Sequence, residues 1–221
     1  MLQQPAPPPS IQNTLDRNLA GFLKPGDPQL PDVQRVMRTA QQVFSLGLQS
    51  LAQGGALRQT AAPTSWRFPI PARSGLFATV ARRPGEAPEF AGLSRGTQAA
   101  RFVQASEDVA KLPQVADRDY EMRILALPGL LTECFWLKSI PENPGQDLIV
   151  PFATAQKELM PMHPYPAADF FQKASKLARE RLDAFQQLED EQAGKALELR
   201  EAAQKKRAEW RMKGAKARQA L

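Results

Sequence analysis

Apolar residues at the start of the chain are spaced as on one face of a helix. They lie three or four positions apart, at Ile11, Leu15, Leu19 and Phe22. This spacing indicates a short amphipathic helix, with Ser10 as its N-cap and Pro25-Gly26 after its end. The preceding MLQQPAPPP favours a flexible, partly polyproline segment. We therefore predict that residues 1–31 form a flexible N-terminal segment with a short helix, which docks either on its own body or on a partner.

A second stretch with helical spacing covers residues 32–53, DVQRVMRTAQQVFSLGLQSLAQ. Its apolar positions form a broad face, as in helices that pack on a core. Asp32 follows a proline and is a suitable cap, and Gly54-Gly55 provides a stop. The pattern predicts an N-terminal packing helix over the whole stretch.

Between residues 66 and 152 the pattern changes to apolar or alternating runs bounded by proline, glycine and acidic residues. The runs are SWRFPIP, GLFATVARR, AARFVQAS, DYEMRILAL, LLTECFWLKS and DLIVPF. Such runs are typical of strands, and RRPGEAPE and SIPENPGQD fit hairpin connections, so a mostly antiparallel sheet is expected. SEDVAKLP fits a short helix with Ser106 as its N-cap. Residues 97–112 fit a single helix instead, and periodicity alone leaves both readings open. Pro128-Gly129 predicts a kink, bulge or wider loop in place of a tight hairpin.

From Ala167 to the last residue the chain has no proline and consists mainly of strong helix formers. Its early apolar stripe comprises Phe171, Ala174, Ala178, Leu182, Phe185 and Leu188. Further on the stripe becomes sparse, with Gln192 and Lys195 where a strict heptad would have apolar residues. We expect the first half to pack on the body. The second half is a weak coiled coil, a partner-dependent helix or a frayed one.

Together these patterns predict an α+β fold. It has a mostly antiparallel β-sheet body, an N-terminal packing helix and a long protruding C-terminal helix. The expected divisions are residues 1–31 for the flexible segment, 32–166 for the body and 167–221 for the charged helix with its basic tail.

Charge is concentrated at the C-terminal end. The whole chain has a net charge of +6, and residues 167–221 contribute 13 basic and 9 acidic residues, a net of +4. The basic tail contains Lys205, Lys206, Arg207, Trp210 and Arg211. These residues form a solvated tail, a nucleic-acid-binding segment in which cations neutralise phosphates and the indole stacks on a base, or a contact for an acidic protein or membrane surface.

The cysteine content, the start of the chain and the lengths of its apolar runs exclude several classes of protein. A single cysteine allows no intramolecular disulfide and no cysteine-rich zinc site within one protomer. The start of the chain lacks the features of a secretory signal, and no apolar run reaches the roughly 18 residues of a membrane span. We expect a cytoplasmic protein without a membrane span.

Catalytic groups are few. Cys134 lies in an apolar run beside Phe135 and Trp136, where a thiol is expected to be buried and unreactive. His163 lies in the proline-rich connector PMHPYP, and the acidic clusters fit helix starts, a strand lead-in and a solvated helix face. We predict no catalytic residue, no metal site, no cofactor and no enzymatic activity.

The function that these features favour is non-catalytic protein or peptide binding, in an accessory or scaffold protein. The sheet body is its platform and the helical ends are its contact elements, with Ile11, Leu15, Leu19 and Phe22 binding a protein partner. A homodimer is one expected form, and addition of a peptide to a free sheet edge is another mode of binding. The alternative is a nucleic-acid-associated protein that uses the basic C-terminal helix. An enzyme of unfamiliar type is a third, weaker reading.

Overall fold

A computed structural model describes residues 1–24, 40–54, 60–70 and 75–219. Within helix 167–219, the side chains of residues 194, 197 and 201 onward are not described. By their internal contacts, Met1–Ala178 and Arg179–Leu221 form two units. The first unit contains the sheet and is called the body below.

In the described ranges, nine strands form one sheet. They are β1 Leu2–Gln3, β2 Gln41–Ser45, β3 Ala62–Ile70, β4 Leu76–Ala81, β5 Glu89–Arg95, β6 Asp119–Leu127, β7 Thr132–Ile140, β8 Leu148–Thr154 and β9 Tyr165–Pro166. The strand order is β5-β4-β3-β2-β6-β7-β8-β9, and β1 pairs with β6. Among these nine described strands, only the pairs β1 with β6 and β2 with β6 are parallel, so the predicted, mostly antiparallel sheet is confirmed.

The helices complete the predicted α+β class. They are α1 Pro9–Leu19, α2 Leu48–Ala52, α3 Thr97–Asp108, α4 Pro113–Ala116 and α5 Ala167–Gln219. The N-terminal amphipathic helix is confirmed, although it begins at Pro9, after Pro8, and Ser10 does not cap it. A 3₁₀ turn, Ala20–Phe22, follows it directly.

The helix predicted over residues 32–53 is wrong in its second half. Residues 32–39 lie outside the described residues, Gln41–Ser45 is a central strand, and only Leu48–Ala52 is helical. β2 pairs with β3 on one side and β6 on the other, which gives its backbone partners on both edges. This non-local pairing outweighs the helical spacing, because intrinsic preferences are weak compared with tertiary contacts.

The ambiguous stretch at 97–112 is helical. α3 covers Thr97–Asp108 and a 3₁₀ turn, Val109–Lys111, continues it, so Ser106 lies inside the helix and does not cap one. α3 approaches the start of β4 closely: a Cβ on Gly75 would lie 2.2 Å from the Cα of Ala100. Gly75 also has φ +63°, so glycine is required there for both reasons.

Among the described residues, two hydrophobic clusters of the core lie where α3 and α1 pack on the sheet. The first packs α3 against β6, β7 and β8, and its large members are Phe77, Phe102, Tyr120, Ile124, Phe135 and Phe152. The second packs α1 against β3 and β4, and comprises mainly Ile11, Leu15, Leu19, Trp66, Phe68 and Val80. The two helices thus shield different parts of the same sheet from water, which is the main source of its stability.

The connection after β6 is wider than a tight hairpin, as Pro128-Gly129 predicts. A 3₁₀ turn covers Pro128–Leu130, and Leu131 adopts the left-handed conformation with φ +50°. Strand pairing resumes between Leu127 and Thr132.

A buried carboxylate organises the next connection, between β7 and β8. Asp147 accepts hydrogen bonds from the Trp136 indole N–H at 3.0 Å, the Ser139 backbone N–H at 3.0 Å and the Ser139 hydroxyl at 3.1 Å. Its backbone carbonyl also accepts from the N–H of Ala167, the first residue of α5, at 2.9 Å. One aspartate therefore joins β7, the hairpin and the start of the long helix.

The first turns of α5 are anchored in the body. Phe170, Ala174 and Ala178 are fully buried, whereas Phe171 is only partly buried. The predicted stripe is therefore correct at the two alanines and begins one residue earlier than expected.

Candidate functional site

The sheet has an open edge at β5. Among the described residues β5 pairs only with β4, over Leu76–Ala81, and no other strand borders its outer side. The backbone N–H and C=O groups on the outer side of such a strand can pair with another extended chain. In the described part of the chain, β5 is therefore an edge strand, which the sequence alone could not identify.

A bulge divides this edge into two parts. Thr79 pairs with Gly92 and Val80 pairs with Phe90, so Ala91 is an extra residue in β5. Gly92 has φ +136°, which a residue with a side chain rarely adopts. Bulges of this kind twist an edge strand and prevent indiscriminate edge-to-edge association. The regular part of β5 beyond the bulge is Gly92–Arg95.

An exposed aromatic ring lies beside this edge. The ring of Phe22 contacts that of Phe90 with centroids 4.8 Å apart, and its side chain is still 50 % exposed. The Arg95 guanidinium donates a hydrogen bond to the Phe22 carbonyl at 2.7 Å, which ties the end of the N-terminal segment to β5. We call β5 together with Phe22 the edge site.

The opposite edge of the sheet is better covered. β9 pairs with Leu148 and Ile149 of β8, and the Met162 N–H donates to the Pro151 carbonyl at 2.7 Å. Backbone groups along β8 are thus already occupied by the chain's own connector. The two edges differ in what they can offer to a partner.

Of the four residues predicted to bind a partner, only Phe22 is exposed. Ile11, Leu15 and Leu19 are fully buried against the body, which corresponds to self-docking, the other reading of the same pattern. Their role in this structure is to fix α1, and through it Phe22, next to the sheet edge.

Cys134 is buried in the interior strand β7, as its apolar neighbours predict. Burial, and to a smaller extent the charge of Glu133, raises the pKa of its thiol well above the usual 9.0. The thiol is therefore protonated at neutral pH and lacks the thiolate that nucleophilic attack requires. His163 is exposed in the connector, and its ring packs edge-on against Tyr165 at 4.6 Å.

Two arginine sites appear that the sequence reading did not identify. Arg67 forms a bidentate ion pair with Glu133, at 2.8 and 3.2 Å, and its guanidinium lies over the rings of Phe77 and Phe102. Glu133 therefore lies on the α3 side of the sheet, with Arg67 and Phe102. The residues of the pair are 66 positions apart in the sequence, so no local pattern could have revealed it.

Arg123 forms the second site. It pairs with Glu121 and lies 4.9 Å from the ring centroids of both Phe44 and Trp136. Both arginines are thus largely shielded from water between two aromatic rings and a carboxylate, a structural arrangement with favourable cation–π contacts. Neither presents a free charge to a ligand.

A buried amide lies beside Arg67. Gln41 is fully buried, pairs with Arg67 across β2 and β3, and neither side-chain polar atom has a hydrogen-bond partner in the structure. The Arg67 Nε is likewise without a partner. Buried polar groups without a hydrogen-bond partner cost free energy, so Gln41 and the Arg67 Nε lower the stability of the core.

A cleft of about 410 Å³ opens near the turn between β4 and β5. Trp66, Arg82, Arg83 and Glu86 are among its lining residues, and the last two form an exposed ion pair at 3.8 Å. In the described part of the chain, no group of three or more histidine, cysteine or acidic side chains is placed to hold a metal ion. No helix among those residues combines the length and apolar character needed to cross a membrane.

The five residues of the predicted nucleic-acid segment lie on α5, where only the helical backbone is described. They are Lys205, Lys206, Arg207, Trp210 and Arg211. Their side chains lie outside the described residues, and their role stays a prediction.

Comparison with known proteins provides no relative from which a function could be transferred. No protein-family model, no curated protein and no solved structure matches this chain.

Proposed function

We propose that this chain is a non-catalytic accessory protein of the cytoplasm that binds an extended segment of a protein partner at the edge site. The observation that carries the proposal is that β5 is the last strand on its side of the sheet among the described strands, next to the exposed ring of Phe22. β-addition obtains affinity from main-chain hydrogen bonds and specificity from pockets for alternate side chains.

The geometry limits the chemistry of the ligand. An added strand alternates its side chains between the two faces of the sheet, and those on the α1 side reach Phe22. The ligand is therefore an extended segment with an apolar side chain at that position and no proline where it pairs with Gly92–Arg95. The bulge at Ala91 prevents pairing along the full length of β5.

Other features support a non-catalytic role in a reducing compartment. The single thiol is buried and protonated, and the shielded arginines Arg67 and Arg123 are each paired with a carboxylate and lie over aromatic rings. An unpaired cysteine does not require an oxidising environment.

Hydrogen exchange provides a direct test. Short peptides selected from a displayed library on the purified chain would be added, and exchange of the β5 amides followed by mass spectrometry. We expect slower exchange within Glu89–Arg95 on binding. Binding that leaves these amides unprotected, or protects only another element, would show that the edge site is not the binding site.

Phe22 and Met160 are both exposed apolar residues, so alanine variants of the two provide a test of Phe22 and its control. Phe22→Ala should weaken the selected peptide about tenfold, as expected for an aromatic contact residue at an interface. Met160→Ala removes another exposed apolar side chain, away from the contacts of β5, and should leave the affinity unchanged. Equal affinities of both variants would contradict the role of Phe22.

A further inference from the structure

The second unit of the chain exposes apolar side chains along α5. Phe185, Leu188 and Leu199 are 47 %, 53 % and 72 % exposed. An isolated helix gains little from carrying such residues, because most helical stability in proteins comes from packing an apolar face. The exposed apolar residues therefore indicate that this part of α5 packs against another helix or another chain.

The apolar residues follow a heptad spacing. Alternating steps of three and four residues from Leu182 pass through six apolar positions: Leu182, Phe185, Ala196, Leu199, Ala203 and Trp210. The same steps also meet four polar positions, namely Glu189, Gln192, Lys206 and Lys213. The polar positions decide which arrangement of two helices is favourable.

Two copies in parallel and in register would place each polar position against itself. Glu189 would then face Glu189, and Lys206 would face Lys206, and like charges in contact are unfavourable. An antiparallel pair centred between positions 197 and 198 instead aligns position 189 with position 206. Opposite charges then meet, and they do so twice in the dimer.

The same antiparallel alignment also matches the apolar positions. Position 185, a phenylalanine, is opposite position 210, a tryptophan, and Ala196 is opposite Leu199. Gln192 is opposite an alanine at position 203. At the ends of the seam the match is lost, since Leu182 is opposite Lys213. The agreement therefore rests on the pairs of positions 185 with 210, 189 with 206 and 196 with 199.

Net charge agrees with this register over longer distances. Residues 179–197 contain three basic and five acidic residues, a net of −2, whereas residues 198–216 contain seven basic and three acidic ones, a net of +4. The alignment lays the acidic half of one copy along the basic half of the other. Such complementarity favours the correct orientation and suppresses others.

We propose that α5 beyond Arg179 self-associates as an antiparallel helix pair with a second copy of this chain, centred between positions 197 and 198. The basic half of the helix then serves to recognise the acidic half of the partner copy. This association is independent of peptide binding at the edge site, so either proposal can fail without the other.

Charge exchange tests the pairing in the full-length chain. Sedimentation equilibrium over a series of concentrations should show a mass rising from 24.4 kDa, that of one chain, toward twice that value. Glu189→Lys and Lys206→Glu should each weaken the dimer about tenfold, because each places like charges together at two points. The double variant Glu189→Lys/Lys206→Glu should restore wild-type affinity, and so should an equal mixture of the two single variants.

Failure of this rescue would overturn the register. A mass of one chain at every concentration would overturn the dimer. If Lys206→Glu releases copurifying nucleic acid and the mass stays that of one chain, the basic half binds nucleic acid and the proposal is wrong.

Disulfide trapping tests the orientation separately, with the buried Cys134 contributing no accessible thiol. An equal mixture of Gln192→Cys and Ala203→Cys should form a disulfide between the two variants on mild oxidation, because the antiparallel register places positions 192 and 203 opposite each other in the seam. Neither variant alone should form a disulfide with itself, because antiparallel copies separate equivalent positions by about 17 Å at 1.5 Å per residue. Efficient trapping of either variant alone would indicate a parallel pair and contradict the proposal.

Discussion

The two parts of α5, up to Ala178 and from Arg179 onward, differ in whether their apolar side chains are buried. In Ala167–Ala178 the apolar side chains are buried in the body, as at Phe170. Beyond Arg179 residues of the same type, such as Phe185, are exposed. Helix propensity is high in both parts, so the difference comes from tertiary contacts. Propensity determines that the segment is helical, and packing determines whether its stability is shared with the sheet.

Removal of one phenylalanine from each part should separate these contributions most clearly. Phe170→Ala leaves a cavity in the core and should lower the free energy of unfolding of the body by about 3–5 kcal/mol. Phe185→Ala should change it by less than about 0.5 kcal/mol, as for other surface substitutions. Urea unfolding followed by near-ultraviolet circular dichroism, at low protein concentration, measures both. Similar losses in the two variants would show that the halves are energetically alike.

The comparison can be repeated with two aspartates. Asp147→Ala removes a buried acceptor of three hydrogen bonds next to the start of α5, and we expect a loss of about 2–4 kcal/mol. Asp183→Ala, at an exposed position of the second part, should change the stability by less than about 0.5 kcal/mol. Unfolding in urea measures both changes. A loss below 1 kcal/mol in Asp147→Ala would mean that this residue does not anchor the helix.

Strands β6, β7 and β8 were predictable from sequence because each contains a run of large apolar residues. β2 was not, because QQVFS lies within a pattern of helical spacing, and its identity as a strand depends on pairing with Arg67 and Ile124 far along the chain. The edge site was predictable only in part. Phe22 was singled out by its spacing, but the position of β5 at the edge follows from the order of the strands, which local patterns do not encode.

A smaller effect should come from the single thiol, which reports on the body alone. The raised pKa of Cys134 means that the thiol of the unfolded chain ionises near pH 9.0 while the folded one stays protonated. Its contribution to stability is thus complete below pH 9.0 and is lost as the pH rises toward the folded value, by at most about 1.4 kcal/mol per pH unit.

Unfolding of the wild type and of Cys134→Ala between pH 8 and 11 should therefore differ in slope. A thiol reagent provides a second measurement, since labelling of Cys134 should become faster in Phe170→Ala and stay unchanged in Phe185→Ala. Parallel pH profiles together with equal labelling rates would contradict this use of the thiol as a reporter.

The smallest expected effect is on the amide hydrogen exchange of α5, which occurs by local opening of the helix and does not change the global stability. Amides in the anchored part of α5, up to Ala178, should exchange at rates set by unfolding of the body. Those beyond Arg179 should exchange faster in dilute solution and become slower as the concentration rises and copies pair. Hydrogen exchange resolved by peptide measures both parts together, and uniform protection along α5 at low concentration would remove the distinction.

The parallel pairing of β2 with β6 has a consequence for how the body assembles. Strands β2 to β5 form one meander of neighbouring antiparallel pairs and β6 to β9 form another, and both are built from contacts between residues close in sequence. The two meanders join where Val43 meets Ile124, which closes a loop of about 80 residues at a considerable entropic cost. Each meander can therefore form early, and the seam between them is expected to be the slow, rate-determining step of folding.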